Sequence, residues 1–571
     1  MAKKTLLKSV ILVESTAKAR TLRKFITRSF AVLSTEGFLK DLPKSRIGVD
    51  AEKNYSPDYI TVRGQGTLLA QLKRETLNAR RIFLATNPDA RGEFLARQCC
   101  DIFGVNPKSF CRLRLNEMTR SAFKEALENA CPIDENLANS FQAKQILDKF
   151  VSHRVGEYFE RKIYRGTKVG RFRAMLLKLI ANPPAKNILS PKEKLTPETL
   201  QEIAFKELNY SAGRTRLVVE QLYEGIKLDG EDAGLVTYPA AEEISLSSAN
   251  RKPEDIREFL TDHQFKLYNL IYAYCNGQKF GTCETTAPDD ANLMAALDSL
   301  GVEWAEYYAG GISSLIKRKY IVNENSQYTV TELGHKVLDA LNGFFDEVFS
   351  ADAYNAVAAQ IRDVAAGKIK KLAVIENYCE KFNPAFDSAM ATLGEDSAPI
   401  NEPVVESDIV CEKCGRKMMI RHGRYGIFFA CPGYPECKNT KPFFETLEQN
   451  CPKCGAKLLS RSLPRGRKFY CCEHTPDCNF MTWDEPQAIN CQTCGSTMFV
   501  HKFRGRAPMF YCGNENCPTR ANHPVNKILA DMQARAEIRR ERKEKLAAKA
   551  AEKSAEPAKS TKPARKKSRA K

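Results

Sequence analysis

Short apolar runs alternate with amphipathic stretches through the first 130 positions of the chain. Ser9–Ser15 (SVILVES) reads as a buried parallel strand, and AKARTLRKFITRSF, from about Ala17, spaces its apolar residues as a helix does. Tyr59–Arg63 (YITVR) and Arg81–Ala85 (RIFLA) predict further strands, with helices between and after them. Strand alternating with helix predicts a small parallel α/β sheet. Such a sheet carries its site at the carboxyl ends of its strands. Those ends hold Glu14-Ser15 and the run Asn87-Pro88-Asp89-Ala90-Arg91-Gly92-Glu93.

Beyond this region the pattern turns helical. Gln142–Gly156 predicts an amphipathic helix, and the basic segment Arg161–Ile180 follows it. Asn182–Leu195 is rich in proline and lysine and reads as a linker. Thr196-Pro197 predicts a helix start, with threonine as the cap and proline at the first helical position. A second helix is predicted near Ser211, and then a strand leading to Gly234–Pro239 (GLVTYP), with Tyr238 before a proline-fixed turn. Helix, turn, helix and strand predict a winged-helix-like module, and helices continue over 291–397. No apolar run approaches the ~18–20 residues of a membrane-spanning helix. The N-terminal run stops at Glu14, too soon for a signal peptide.

The last third of the chain is organised by cysteine. Cys411/Cys414, Cys451/Cys454 and Cys491/Cys494 recur at a fixed interval, and each pair is answered by a second: Cys431 and Cys437, Cys472 and Cys478, Cys512 and Cys517. Three four-thiolate sets with Cys-x2-Cys knuckles predict three structural Zn²⁺ ribbons. Cys471 competes with Cys472 for one ligand position; Cys472 repeats the spacing of the first ribbon. Twenty cysteines without a secretory signal predict a reducing compartment, where metal binding outranks disulfides. Each ribbon has aromatic residues before its third ligand, among them Phe429, Tyr470 and Tyr511, and arginines in the preceding loop, among them Arg424, Arg465, Arg467, Arg504 and Arg506. Small ribbons need aromatics for their thin cores; stacking of single-stranded bases beside neutralised phosphates is the functional alternative.

Charge supports a polyanionic partner. Lys and Arg number 88 against 69 Asp and Glu, a formal net charge of +19. Residues 526–571 hold 16 basic and 6 acidic residues, so +10 of the excess lies in a tail that reads as a nonspecific polyanion-binding arm. The remainder is still basic, which favours nucleic acid over a membrane surface.

ILVESTAKARTL, GFLKDLPKSRIGVD, ITVRGQGTLLAQLK, FLATNPDARGEFLA and LNEMTRSAFKEAL, in this order, resemble the Toprim domain of bacterial type IA DNA topoisomerases. TLQEIAFKELNYSAGRTRLVVEQLYEGIKL followed by GLVTYP resembles the family's tyrosine-bearing domain, Lys168–Arg171 resembles its Ser-Ala-Gly-Arg turn, and the family often ends in zinc ribbons. The resemblance implies that Tyr238 is the nucleophile, that Lys18 and Arg171 face the phosphate, and that Glu14 donates the leaving-group proton. It also shows departures. The family's Asp-x-Asp-x-Glu metal motif is here Asn87, Asp89 and Arg91, which implies weak or no Mg²⁺ binding. The family's Tyr-x-Arg is Tyr238-Pro239-Ala240, and its β-rich arch has no counterpart in the short segments on either side of the tyrosine module.

The resulting expectation is a multidomain α/β + α chain: a Toprim domain (1–130), a groove-forming helical domain in two parts (131–181 and 280–397), a linker (182–195), a tyrosine domain (196–279), ribbons at 405–446, 447–486 and 487–525, and a basic tail (526–571). Two functions stay open. One is single-stranded DNA binding with cleavage and rejoining through a phosphotyrosine linkage, with weak or no change in topology; the other is a catalytically inactive DNA-binding paralogue. Three structural Zn²⁺, DNA as partner, no membrane association and a cytoplasmic, nucleoid-associated location complete the expectation.

Overall fold

The structure is a computed structural model that describes residues 8–183, 187–189, 194–229, 232–240, 242–278, 280–281, 283–285, 289–324, 327–394, 400, 405–423, 426–462, 468–475, 477–501, 509–521 and 523. They fall into two compact units, 1–402 and 403–571. Among the described residues no helix is long and apolar enough to cross a membrane.

The first unit begins with a three-stranded parallel sheet in the order Phe30–Ser34, Ser9–Val13, Ile82–Leu84. Ile11 pairs with Val32 on one side and Phe83 on the other. This corrects the predicted strand set. Phe30–Ser34 (FAVLS), which the predicted helix reaches only at Phe30 and which the sequence pattern does not predict as a strand, is an edge strand, and helix α1 (Thr16–Phe25) ends earlier, at Ile26. YITVR contributes only Ile60–Thr61, an exposed pair antiparallel to Lys40–Asp41 and outside the sheet.

Helices α2 (Gly66–Leu77) and α3 (Ala90–Phe103) cover one sheet face. The side chain of Asp89 caps α3, and a left-handed Gly104 ends it. After α4 (Arg120–Glu128) comes the long α5 (Glu135–Lys162), then α6 (Arg171–Ala181). The predicted cap is in place for α7 (Pro197–Leu208), where Thr196 accepts a backbone N–H of the first turn, and α8 (Ala212–Glu224), predicted to start near Ser211, is capped by Ser211 in the same way. Helix α9 (Asp262–Cys275) completes the tyrosine module. A second helical group, α10 (Asp290–Ser299), α11 (Tyr308–Lys317), α12 (Glu332–Leu341), α13 (Ala351–Ala365) and α14 (Lys371–Ala391), shares one large apolar core with α5 and α6.

The chain crosses between the helical group and the tyrosine module twice, from α6 to α7 and from α9 to α10. The two crossings pair with each other. Asn187–Leu189 runs antiparallel to Cys283–Thr285, with Ile188 opposite Glu284. The two crossings thus form a two-stranded strap.

Among its described residues the second unit has three antiparallel sheets, of four, four and three strands. Each starts with a strand leading into a cysteine knuckle, and Gly415, Gly455 and Gly495 close the three knuckles with positive φ.

Candidate active site and metal centres

Tyr238 is buried where the tyrosine module meets the sheet. Its amide donates to the Asn116 carbonyl at 2.8 Å, and its ring meets Tyr223 edge-on at 5.3 Å. Its hydroxyl donates to Oδ2 of Asp89, whose Oδ1 accepts the Gly92 amide at 2.6 Å. Burial, and after it the Asp89 carboxylate, push the phenol well above the usual tyrosine range. The phenol is therefore neutral at physiological pH and already paired with a proton acceptor.

The other residues of the degraded motif have separate partners. Asn87 accepts the Lys18 ammonium through Oδ1 at 3.1 Å, and Glu14 accepts the same ammonium at 3.2 Å. Lys18 is wholly buried, and burial lowers its pKa against the pull of Glu14. Glu93 is locked to Arg112 at 2.7 Å, with both side chains fully buried. Arg91 pairs with neither Asp89 nor Glu93; it is exposed, its guanidinium 5.3 Å over the Phe38 ring.

Arg171 lies inside the helical core rather than on its surface. It is buried, bonded to Asp148 at 2.7 and 2.9 Å, and lies near the rings of Tyr354 and Tyr378. A basic residue opening a helix reads as a surface contact in sequence, but Asp148 on α5 draws this one inward. Lys18 is likewise a buried organising cation rather than a surface one.

Tyr238, Glu14, Asn87, Asp89 and Arg91 line one cavity of about 800 Å³. Its wall also presents Glu198, Glu220, Glu224, Glu242, Glu303 and Glu306, so eight carboxylates face three cations, Arg91, Lys144 and Arg216. The six glutamates, Lys144 and Arg216 were missed in the sequence, and two of them stand out. Glu224, at the end of α8, accepts from the Ser15 hydroxyl, and burial raises its pKa. Lys144 on α5 lies 3.2 Å over the Tyr307 ring, and burial lowers its pKa. Both belong to helices whose amphipathic pattern looks like ordinary packing, and only the fold brings them to Tyr238.

In the second unit the twelve predicted cysteines form three groups: Cys411, Cys414, Cys431 and Cys437; Cys451, Cys454, Cys472 and Cys478; Cys491, Cys494, Cys512 and Cys517. All sulfurs of a group lie within 4.8 Å of one another. Pairs such as Cys411–Cys437 and Cys451–Cys478 are 3.7 Å apart, close to the ~3.8 Å separation that tetrahedral thiolates at Zn–S ~2.3 Å require. The Gly433 and His474 amides donate to Cys431 and Cys472 sulfurs at 3.4 Å, which suits thiolate ligands. Cys472 takes the contested position; Cys471 is buried and outside the group.

The aromatic expectation is corrected. Phe429, Tyr470 and Tyr511 are buried in the thin cores of their ribbons, because strand alternation turns the residue two before, or one before, the ligand inward. Exposed aromatics of the ribbons include Phe510 and Trp483, the latter paired with Phe469 at 5.7 Å, with exposed Met481 two residues away. Arg424, Arg465, Arg467, Arg504 and Arg506 lie outside the described residues.

The Toprim domain family matches residues 9–118, and the topoisomerase DNA-binding C4 zinc finger matches 408–445 and 448–487. The chain is type IA topoisomerase-like. The topoisomerase-like chain also shares its fold with a solved structure, full-length topoisomerase I from Thermotoga maritima. Identity is 20%, the TM-score is 0.59, and the match covers 76% of this chain and 97% of that one. The Toprim start, the mixed helical body and the four-cysteine ribbons agree with the architecture expected from sequence.

Proposed function

We propose that the chain binds single-stranded DNA and cleaves and rejoins one strand through Tyr238. The observation that carries this is the Tyr238 hydroxyl donating to Asp89 inside a cavity large enough for a nucleotide. Attack on phosphorus requires the phenol to lose its proton as the bond forms, and Asp89 is in place to take it. The leaving oxygen needs a proton in return. Glu14 was the expected donor, but its Oε1 accepts the Lys18 ammonium; Glu224, held protonated to higher pH by burial, is the better acid on the same wall. Lys144, Arg91 and Arg216 are the cations on the cavity wall that meet the phosphate, in place of Lys18 and Arg171.

The residues do not fit a Mg²⁺ ion, and no step is assigned to one. Asn87 faces a buried ammonium, Asp89 is bonded to Tyr238 and Gly92, Glu93 is spent on Arg112, and Arg91 adds a positive charge. Hard divalent cations need free anionic oxygens. The three four-thiolate groups, by contrast, fit Zn²⁺ as structural sites that contribute folding energy.

The second reading is a DNA-binding protein without turnover. The excess of carboxylates over cations on the cavity wall repels a phosphate backbone, which leaves binding to the ribbons. Incubation with end-labelled single-stranded DNA followed by denaturation separates the two. A covalent adduct that Tyr238→Phe abolishes establishes the enzyme; ribbon-dependent binding without an adduct establishes the alternative.

A further inference from the structure

The two ends of the parallel sheet carry opposite charge. At the carboxyl ends of its strands, the cavity holding Tyr238 has its excess of carboxylates. At the amino ends, beside Ser9 and Phe30, lies a second pocket of about 370 Å³ that is open to solvent. Lys8, Arg23 and Arg28 line it together with Ile26, Phe30 and Val32, and among the described residues no carboxylate does. The two pockets share no residue. Lys8 of one and Glu14 of the other flank the strand Ser9–Val13, which sets them about 20 Å apart at ~3.3 Å per residue.

The fold does not call for cations at all three positions. Arg23 is in the last turn of α1, where the helix dipole favours a positive charge. Lys8 precedes the first strand and Arg28 lies in the turn after α1, outside that influence. All three are exposed, and none has an ion-pair partner among the described residues. Arg23 is nevertheless held in place, because its Nη2 donates to the Val32 carbonyl at 2.9 Å. The Ser9 amide donates to the Ser29 carbonyl and the Thr35 amide to the Val13 carbonyl, so the odd-numbered residues of this edge strand face the centre of the sheet and Val32 presents its carbonyl to the open side. The arginine therefore blunts the edge against an added peptide strand and keeps further N–H groups for an acceptor in the pocket. Ile26 and Phe30 form an apolar floor packed against the core, with Phe30 meeting Phe83 at 6.2 Å.

Cations beside a fixed aromatic ring suit a phosphate joined to a planar base, and an open pocket admits a unit of a polymer. We propose that this pocket binds one nucleotide of a single-stranded nucleic acid, with the phosphate among Lys8, Arg23 and Arg28 and the base against Phe30. The site is separate from the cavity of Tyr238 and does not depend on whether that residue cleaves. It gives the first unit a hold on a strand that its acidic cavity repels.

Two measurements on the full chain test this. The first compares the salt dependence of binding to a labelled oligo-dT strand for the parent, the pocket variant Lys8→Gln, Arg28→Gln, and a control variant on α2, Lys73→Gln, Arg74→Gln. All four side chains are exposed, so unchanged far-UV circular dichroism is expected of both variants. Each phosphate contact on a single strand adds about 0.7 to the steepness of log K against log salt. The pocket variant is expected to be about 1.4 shallower than the parent and the control to match the parent. The second measurement places bromodeoxyuridine in the strand and maps photo-crosslinks, with a crosslink expected within residues 26–32 that the pocket variant loses. An unchanged slope, an equal change in the control, or crosslinks confined to other segments overturns the proposal. Slowed hydrogen exchange over 26–32 with free dTMP or inorganic phosphate, but not with the strand, overturns it as well, because the ligand is then a free anion.

Discussion

Replacing Arg112 by leucine is the most informative perturbation of the site's support. Arg112 Nε pairs with Glu93 at 2.7 Å, Nη1 donates to the Leu84, Thr86 and Leu113 carbonyls at 3.0, 2.9 and 2.8 Å, and Nη2 donates to the Asn87 carbonyl at 2.7 Å. Glu93 also accepts the Asp134 amide at 2.7 Å. The pair is fully buried, so removing the arginine leaves a carboxylate without its main compensation. Breaking such a pair costs about 3–5 kcal/mol, a large part of the roughly 5–15 kcal/mol that holds a domain folded. The stranded carbonyls add to this, less than additively because the surrounding turn relaxes. Urea unfolding followed by far-UV circular dichroism measures the loss. The double variant Arg112→Leu, Glu93→Leu is expected to recover part of it, since the buried charge is then gone. Because Arg112 holds the Asn87 carbonyl just before the Asp89 cap, the single variant should also lose the tyrosine adduct under conditions where it remains folded. A cost below about 1 kcal/mol, or a double variant less stable than the single, would refute the reasoning.

Three further outcomes follow from individual residues. Cys472→Ser should lower the bound metal from three ions per chain to two, read by atomic emission, while Cys471→Ser keeps all three. Burial raises the folded-state pKa of Glu224, so its stabilising contribution is complete below the unfolded carboxylate pKa of ~4.3 and is lost as pH rises through the folded value; Glu224→Gln should therefore raise the urea midpoint at pH 7 relative to the parent and leave it little changed at pH 4. Trp483→Ala should weaken single-stranded DNA binding by about 1–3 kcal/mol at moderate salt with the fold intact, whereas Tyr511→Ala, which removes a buried ring bonded to Asp484 at 2.6 Å, should act first on the melting temperature of the ribbons.

Local chemistry made much of the fold legible. Thr196 caps a helix because its side chain reaches a backbone amide that has no partner within the helix, and that rule needs no tertiary information. The cysteine sets were legible because metal geometry fixes ligand spacing. What failed depended on contacts distant in sequence. FAVLS is a strand only because Ser9–Val13 lies beside it. Arg171 looked like a phosphate contact until Asp148 drew it inward, and Glu224 and Lys144 joined the site from helices that read as packing. Alternation within a ribbon strand decides which aromatic is core and which is surface; the register that sets it depends on the partner strand, and the motif does not contain it.

The second and third ribbons have a consequence that the first does not share. Leu458 and Cys472 of the second pack in one cluster with Phe499 and Tyr511 of the third, Phe480 meets Phe499 at 5.7 Å, and Thr497 donates to the Asn450 carbonyl at 2.8 Å. The first ribbon has a separate cluster around Met418 and Phe429. Two ion sites built on one interior are energetically linked: whatever ion fills one also stabilises the framework of the other, and the coupling is reciprocal. Under a chelator, the first ribbon should release its ion as an independent site, while the other two release theirs cooperatively.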